Sequence, residues 1–179
     1  EPIPGKGQVL RRMFADIDAD VYVIADGDGT YDPTEAPILL KTLFDGNYDM
    51  VSGARIGVTQ KTVRKGHALG NRMFNSLYRA LFGTGFNDIF TGYRVLTRRF
   101  VKSFPAVSSG FEIEAELSVH ASQLRIPVTE TPVEYGDRPE GSVSKLRTFS
   151  DGLKILKAMI SLLKENRPML MFSSLAALL

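Results

Sequence analysis

Val21-Tyr22-Val23-Ile24-Ala25-Asp26-Gly27-Asp28-Gly29-Thr30 is the stretch from which the fold is read. Five residues, four of them bulky and apolar, run into two carboxylates separated by one glycine. The run lacks polar alternation, so it predicts a strand buried on both faces, as in parallel sheets. The carboxylates then stand at the strand's C-terminal end, where open α/β sheets place their ligands. In an extended backbone residues i and i+2 point the same way, so Asp26 and Asp28 aim at one point. Gly27 and Gly29 let a ligand approach the main chain. Two converging carboxylates beside an apolar strand require a counter-charge. A divalent cation supplies one. Hard oxygen ligands favour Mg²⁺ or Mn²⁺, held by one or two carboxylates together with substrate phosphates.

Three other readings compete. A plain Asp-Gly turn closing a strand is the blandest. A calcium EF-hand fails, because Tyr31 stands where that loop needs glycine and Pro37 where it needs glutamate. The earlier Asp16-Ile17-Asp18-Ala19-Asp20 fails in the same way, with Val21 and Gly27 at those places. An apolar strand followed by Asp-x-Asp-Gly-Thr also resembles the motif of haloacid-dehalogenase-type phosphatases. There Asp26 would be the phosphorylated nucleophile and Asp28 the acid/base.

Composition narrows the classes. The chain has 179 residues, one domain's worth, with ordinary hydrophobic (44%) and charged (23%) content. A net charge of +2 gives no argument for nucleic acid. With no cysteine there is neither a disulfide framework nor a thiolate metal site. His67 and His120 are too few for a histidine metal centre. There is no initiator methionine and no signal-peptide pattern.

Around the central stretch the chain alternates helix and strand. A Pro- and Gly-rich loop closes with Gly5-Lys6-Gly7, and a helix follows to about Ile17 with Val9, Leu10, Met13, Phe14 and Ile17 on one face. Lys6, just before that helix, is either a phosphate contact or a solvated lysine in a turn. Pro33 opens a second helix running to Phe44. Tyr48 to Arg55 reads as a short strand, which brings Arg55 to the same sheet edge as the aspartates. A helix over about His67–Phe82 carries Leu69, Met73, Leu77 and Leu81 as its apolar stripe, with Phe74 and Tyr78 beside them. Arg64, Asn71 and Arg72 are the polar residues nearest its start.

Ile89 to Thr97 reads as extended. Gly92 inside it marks a bulge or a close approach by another group, and Asp88 at its start is a lone carboxylate. Phe111 to Ala121 is helical. Glu112, Glu114 and Glu116 cannot share one helix face, although one of them turns toward the cleft in this reading. Ile126 to Tyr135 carries two prolines and reads as an edge strand. Gly136 to Leu146 is a polar, basic loop able to close over an anion. Thr148 to Asn166 is an amphipathic helix, with Leu153, Leu156, Ile160 and Leu163 as one stripe and Ile155, Met159 and Leu162 widening it. Lys154, Lys157 and Lys164 lie off that stripe. It suits a membrane interface or a domain core equally. Residues 168–179 are apolar and shorter than the roughly 20 residues that span a bilayer. The expectation is three parts: residues 1–147 a partial catalytic domain, 148–167 an interfacial helix, and 168–179 the start of a transmembrane segment cut short.

Seven motifs in order resemble glycosyltransferase family 2, in the branch of dolichyl-phosphate mannose synthases and bacterial polyprenyl-phosphate glycosyltransferases. Gly5-Lys6-Gly7 is similar to N-x-G-K-G, and Ala25 through Pro33 to the D-x-D motif with its trailing proline. Ser52-Gly53-Ala54-Arg55 is similar to the G-S-R strand end, and Arg64 through Asn71 to R-x(6)-N. Asp88 through Arg94 is similar to D-x-x-[ST]-G-[FY]-[RK], and Phe111-Glu112-Ile113-Glu114 to G-F-x-x-E-x-E. Tyr135 through Arg138 with Gly141 through Leu146 is similar to Y-x-x-R-x-x-G-x-S-K-L. The family's opening P-x-Y-N-E strand and second βα unit have no counterpart here, which makes this chain an expected fragment.

The resemblance implies a GT-A fold, an α/β architecture with a mostly parallel sheet flanked by helices and lacking its first βα units. It implies an inverting transfer of a hexose from a nucleotide-diphosphate sugar to a polyprenyl phosphate or related membrane acceptor. Asp26, Asp28 and Thr30 would hold Mg²⁺ or Mn²⁺ on the diphosphate. Lys6, Asp26 and Ser144 would bind substrate, and Arg138 and Lys145 would be catalytic, adding positive charge at the diphosphate from the mobile loop. Arg55 and Arg64 are candidates for the acceptor phosphate, Asn71 would bind substrate, and Asp88 is the base if the acceptor is a hydroxyl. The catalytic domain would lie on the cytoplasmic face of a membrane. The phosphatase and a catalytically inactive binding domain are the alternatives.

Overall fold

β1 (Val21–Ile24) ends two residues before Asp26, so the acidic pair leaves the sheet at a strand's C-terminal tip. The computed structural model describes residues 2–56, 65–83, 85–139 and 148–178. Before β1 comes α1 (Lys6–Asp16). After it, a short 3₁₀ turn (Pro33–Glu35) leads into α2 (Ala36–Asp45) and β2 (Met50–Ile56). Then follow α3 (Lys65–Phe82), β3 (Arg94–Thr97), α4 (Arg98–Ser103), α5 (Ile113–Leu124), β4 (Val128–Glu134), α6 (Thr148–Asn166) and α7 (Pro168–Leu178). Local chemistry sets these limits. The Asp32 carboxylate accepts the Thr34 N–H (2.8 Å) and Pro33 pre-sets the first turn after the acidic loop. Gly46 and left-handed Asn47 (φ 50°) end α2.

The sheet order is β1-β3-β2-β4. β1 and β2 each pair antiparallel with β3, and β4 pairs parallel with β2. The sheet is therefore mixed, with three strands in one direction and one against them. The stretch expected to be extended from Ile89 is a strand only from Arg94. Ile89 to Tyr93 turns instead, and β3 slots between β1 and β2. This placement corrects the reading of β1 as a strand buried on both faces. β1 lies at one end of the sheet order, and alternate side chains turn opposite ways. Tyr22 and Ile24 enter the core, whereas Val23 is 43% exposed. β4, expected at an edge, is at one.

Two apolar layers enclose the sheet. On one face Tyr22, Ile24, Met50 and Leu96 pack with Leu10 and Phe14 of α1, Phe74, Tyr78 and Phe82 of α3, and Ile155 and Met159 of α6. On the other, Val51, Val95, Tyr93 and Val133 pack with Leu39 and Leu43 of α2 and with Tyr31. The helices form where expected, but two are rotated about their axes. On α3 the buried line is Phe74-Tyr78-Phe82, and Leu69 is 71% exposed. On α6 it is Ile155-Met159, and Leu153 is 69% exposed. His120 is packed, with Nε2 3.0 Å from the Ser103 hydroxyl and the ring edge-on to Phe100. Among the described residues no helix is long and apolar enough to cross a membrane, and α7 is an 11-residue helix.

Candidate active site

The α1 start is fixed from outside. Ser109 O accepts the Gly7 N–H (3.1 Å), and a Cβ on Gly7 would collide with Ser108 O. Ser109 O thus takes the Gly7 and Gln8 amides of α1, and Lys6 reaches the acidic motif through its side chain. Its ammonium lies 2.5 Å from Asp26 Oδ1 and also pairs with Glu114 Oε1. Burial alone would lower the Lys6 pKa. The charges and hydrogen bonds of Glu114 and Asp26 outweigh it, so the amine is held above its usual range and stays charged.

Glu114 in turn accepts from Arg94 Nε (3.2 Å), and Arg94 is wholly buried. Arg94 also donates to the carbonyls of Thr91 (3.2 Å), Ile89 (2.9 Å) and Glu114 (3.2 Å) and to the Ser118 hydroxyl (3.1 Å). Charges alternate along Arg94, Glu114, Lys6 and Asp26, from the core to the acidic motif. Replacing a buried pair with apolar groups is often neutral for stability. Its presence here is therefore better explained by the site than by the fold.

Asp28 has its own cation. Its Oδ2 lies 2.8 Å from Arg138 Nη2, and its Oδ1 accepts the Thr30 hydroxyl (2.6 Å) and N–H (3.3 Å). Thr30 is buried and orients Asp28. The segment carrying Arg138 is seated on the acidic loop: Gly136 N–H donates to Thr30 O (2.9 Å), and the Pro139 ring lies against Gly29, whose φ is +76°. Gly92 is the close approach its sequence position signalled. A Cβ there would collide with the Asp26 carboxylate.

Asp88 is held differently. Arg55 Nε and Nη2 donate to its two oxygens (2.6 and 2.8 Å), a bidentate pair. The N–H groups of Arg55 and Phe90 add further bonds, each 3.3 Å. Burial would raise the Asp88 pKa, but the Arg55 hydrogen bonds and charge prevail and hold it below the ordinary carboxylate range. The Glu130 carboxylate on β4 accepts the N–H groups of Asn87 (2.9 Å) and Asp88 (3.0 Å). Asn75 on α3 accepts that of Ile89 (3.1 Å). Asn71, half-buried, is one turn before Asn75. Arg64, Ser144 and Lys145 lie outside the described residues.

Lys6, Asp26, Asp28, Thr30 and Arg138 therefore meet at one tip of the sheet, and Arg55 closes on Asp88. The sequence assigned no chemistry to Glu130 or Tyr31, and of Glu112, Glu114 and Glu116 it is Glu114 that turns to the cleft and pairs with Lys6. Glu114 and Tyr31 stand inside quoted motifs, so position was the available signal. Among the described residues no three His, Cys, Asp or Glu side chains gather as a metal cage. Two carboxylates that already hold cationic side chains fit the other kind of site, in which Mg²⁺ or Mn²⁺ takes one or two protein oxygens and the rest from a phosphate substrate.

A mixed sheet flanked by helices, with an acidic pair at a strand tip, is the arrangement of the GT-A fold. The fold matches glucosyl-3-phosphoglycerate synthase from Mycobacterium tuberculosis, solved with Mn²⁺, UDP and phosphoglyceric acid, with a TM-score of 0.71 at 19% identity. The match covers 91% of this chain and 55% of that one. Residues 3–104 match glycosyl transferase family 2, and the chain belongs to that family. It is 36% identical over 172 residues to glycosyltransferase AglJ of Haloferax volcanii, covering 95% of this chain and 56% of that protein. It is 30% identical over 163 residues to a dolichyl-phosphate hexose transferase of the same organism, covering 91% of this chain and 70% of that one. The chain thus spans a little over half the length of AglJ.

Proposed function

We propose that this chain is the catalytic part of an inverting hexosyltransferase that moves a hexose from a nucleotide-diphosphate sugar to a polyprenyl phosphate at a membrane surface. One observation carries the reading: Asp26 and Asp28 stand at a strand tip and each already holds a cationic side chain brought by a flanking segment. A Mg²⁺ or Mn²⁺ ion held by Asp26 and Asp28 would act as a Lewis acid toward the leaving diphosphate. Lys6 and Arg138 are the side chains placed to turn from the aspartates to that diphosphate. Lys6 remains anchored through Glu114, and Thr30 keeps Asp28 in its orientation.

The acceptor side favours a phosphate. A general base for a hydroxyl works best with a pKa near the working pH. Asp88 has the opposite character, because Arg55 occupies both of its oxygens and keeps it ionised well below that range. A phosphate acceptor arrives ionised and needs no proton removed. Arg55 is then the cation facing it, with Asp88 setting the guanidinium's orientation. Arg64, Asn71, Ser144 and Lys145 are proposed to complete the binding of the two substrates.

The name of the dolichyl-phosphate hexose transferase relative supports a lipid-linked acceptor. So do the apolar side chains left outward on the rotated helices, Leu69 and Met73 on α3 and Leu153 and Ile160 on α6, together with Met169 and Phe172 on α7. With Lys157 and Lys164 on α6, they suit the cytoplasmic face of a membrane. The test supplies the intact gene product with Mn²⁺, a set of nucleotide hexoses and a polyprenyl phosphate, and looks for a hexosyl lipid by mass spectrometry. A hexosyl lipid with inverted anomeric configuration is expected. Nucleotide-sugar binding without any transfer would replace this reading with a transferase-like binding domain.

A further inference from the structure

The hydrogen bonds around Tyr31 run in one direction. The Thr91 hydroxyl donates its single proton to the Gly53 carbonyl (2.5 Å). In the 3.2 Å contact between the Tyr31 and Thr91 hydroxyls, Tyr31 is therefore the donor. The Tyr31 oxygen in turn accepts the Gly92 N–H (2.9 Å). The series runs from Gly92 N–H through Tyr31 and Thr91 to Gly53. Both Tyr31 and Thr91 are buried.

The two ends of the series have different neighbours. Gly92 lies against the Asp26 carboxylate, on the side that would hold the donor sugar. Gly53 stands on β2 two residues before Arg55, whose guanidinium grips Asp88 on the acceptor side. The Tyr31 ring meets Tyr93 (5.3 Å) and Tyr135 (5.1 Å) edge-on, and Arg55 lies over the Tyr135 ring (5.3 Å). Tyr31 follows Asp28 by three residues in the chain. One side chain therefore touches the acidic loop, the segment after Asp88 and the start of the segment bearing Arg138.

We propose that Tyr31 is a positioning residue that sets the separation between the donor half and the acceptor half of the site through its hydrogen bonds to Gly92 and Thr91. The inference rests on the transferase reading above. In transfer, an acceptor phosphate oxygen bonds to the anomeric carbon as the bond from that carbon to the diphosphate oxygen breaks, and the electron pair leaves with the nucleoside diphosphate. Hydrolysis breaks the same bond with water as nucleophile, but it makes no use of the acceptor half. A misplacement of about 1 Å between reacting groups costs about 100-fold in rate, so a slackened joint weighs on transfer alone.

The experiment compares Tyr31→Phe and Thr91→Val with the wild-type intact protein, using Mn²⁺, the hexose nucleotide it accepts and a polyprenyl phosphate. Phenylalanine keeps the ring contacts and removes only the hydroxyl. The expected result is a fall of about tenfold in kcat for transfer, a donor KM within about twofold, and unchanged donor hydrolysis without acceptor. Thr91→Ser, which keeps the hydroxyl, restores most of the transfer lost in Thr91→Val. A Tyr31→Phe protein that transfers at the wild-type rate overturns the inference. So does one in which hydrolysis falls in step with transfer, because the hydroxyl then serves only the scaffold. A wild type that makes no glycolipid overturns the underlying transferase reading and this inference with it. A wild type that makes it while Tyr31→Phe matches it overturns this inference alone.

Discussion

Asp26 and Asp28 differ from Asp88 in how they hold their cations, although all three are aspartates at the same end of the sheet. The Asp26 and Asp28 side chains keep 36% and 25% of their surface, against 14% for Asp88. Each of the first two meets its cation through one oxygen, and that cation comes from a separate segment: Lys6 from α1, Arg138 from the strand-to-loop turn after β4. Asp88 meets Arg55 through both oxygens, and two backbone amides add to the grip. A singly bonded, part-exposed ion pair exchanges its partner at low cost, whereas a bidentate buried one does not. The first pair of carboxylates holds its cations by contacts that a metal can displace, as the proposed function requires. The third is built to hold one guanidinium in place.

The largest expected effect breaks the exchanging side. Asp28→Ala should lower turnover by about 1,000-fold, the upper range for losing an electrostatic contact made in the transition state. Mn²⁺ binding by calorimetry should weaken alongside it. Metal-dependent turnover at the wild-type rate would remove Asp28 from the site. Arg138→Gln sharpens the contrast, because its two readouts should move in opposite directions. Turnover should fall by about 100-fold as a charge facing the diphosphate is lost. Mn²⁺ should bind more tightly in the absence of nucleotide, because no guanidinium then competes for Asp28 Oδ2. Weaker Mn²⁺ binding in this variant would mean that Arg138 supports the metal site instead of occupying it.

Both carboxylate environments follow from short stretches of sequence, but unequally. Asp26-Gly27-Asp28 at a strand tip, the helix opened by Pro33, and Gly92 as a close approach are local facts, carried by alternation, turn chemistry and the absence of a side chain. Arg55 was placed at the correct edge because β2 stops there. What local pattern does not carry is which strand lies next to which. β3 lies between β1 and β2, and a four-residue strand has too little periodicity to reveal that. Helix rotation escaped for a related reason. The apolar arcs of α3 and α6 are wide enough that Leu69 or Phe74, Leu153 or Ile155, serve equally well as their centres, and only the packing of α6 on α3 and α5 decides. Partners far apart in the chain, such as Lys6 with Glu114, or Asp88 with Arg55, are products of topology.

The smallest expected effect tests the locked side. Asp88→Asn keeps the shape but leaves Arg55 with a neutral acceptor in a part-buried place. Breaking a buried pair costs about 3 kcal/mol or more. Both side chains here retain some contact with water, which brings the expected loss to about 2 kcal/mol, read as a lower midpoint in denaturant melts. The pH dependence has a definite sign. The Asp88 pKa is depressed on folding, so its contribution is fully present above the unfolded carboxylate value of about 3.9 and is lost as pH falls through the lower folded value. The stability gap between wild type and Asp88→Asn should therefore be flat from neutral pH down to about 4 and close only below it. A gap that closes between pH 5 and 7 would mean that Asp88 titrates near neutrality. It would then be available as a base, and the hydroxyl-acceptor chemistry that its pairing with Arg55 argues against would return.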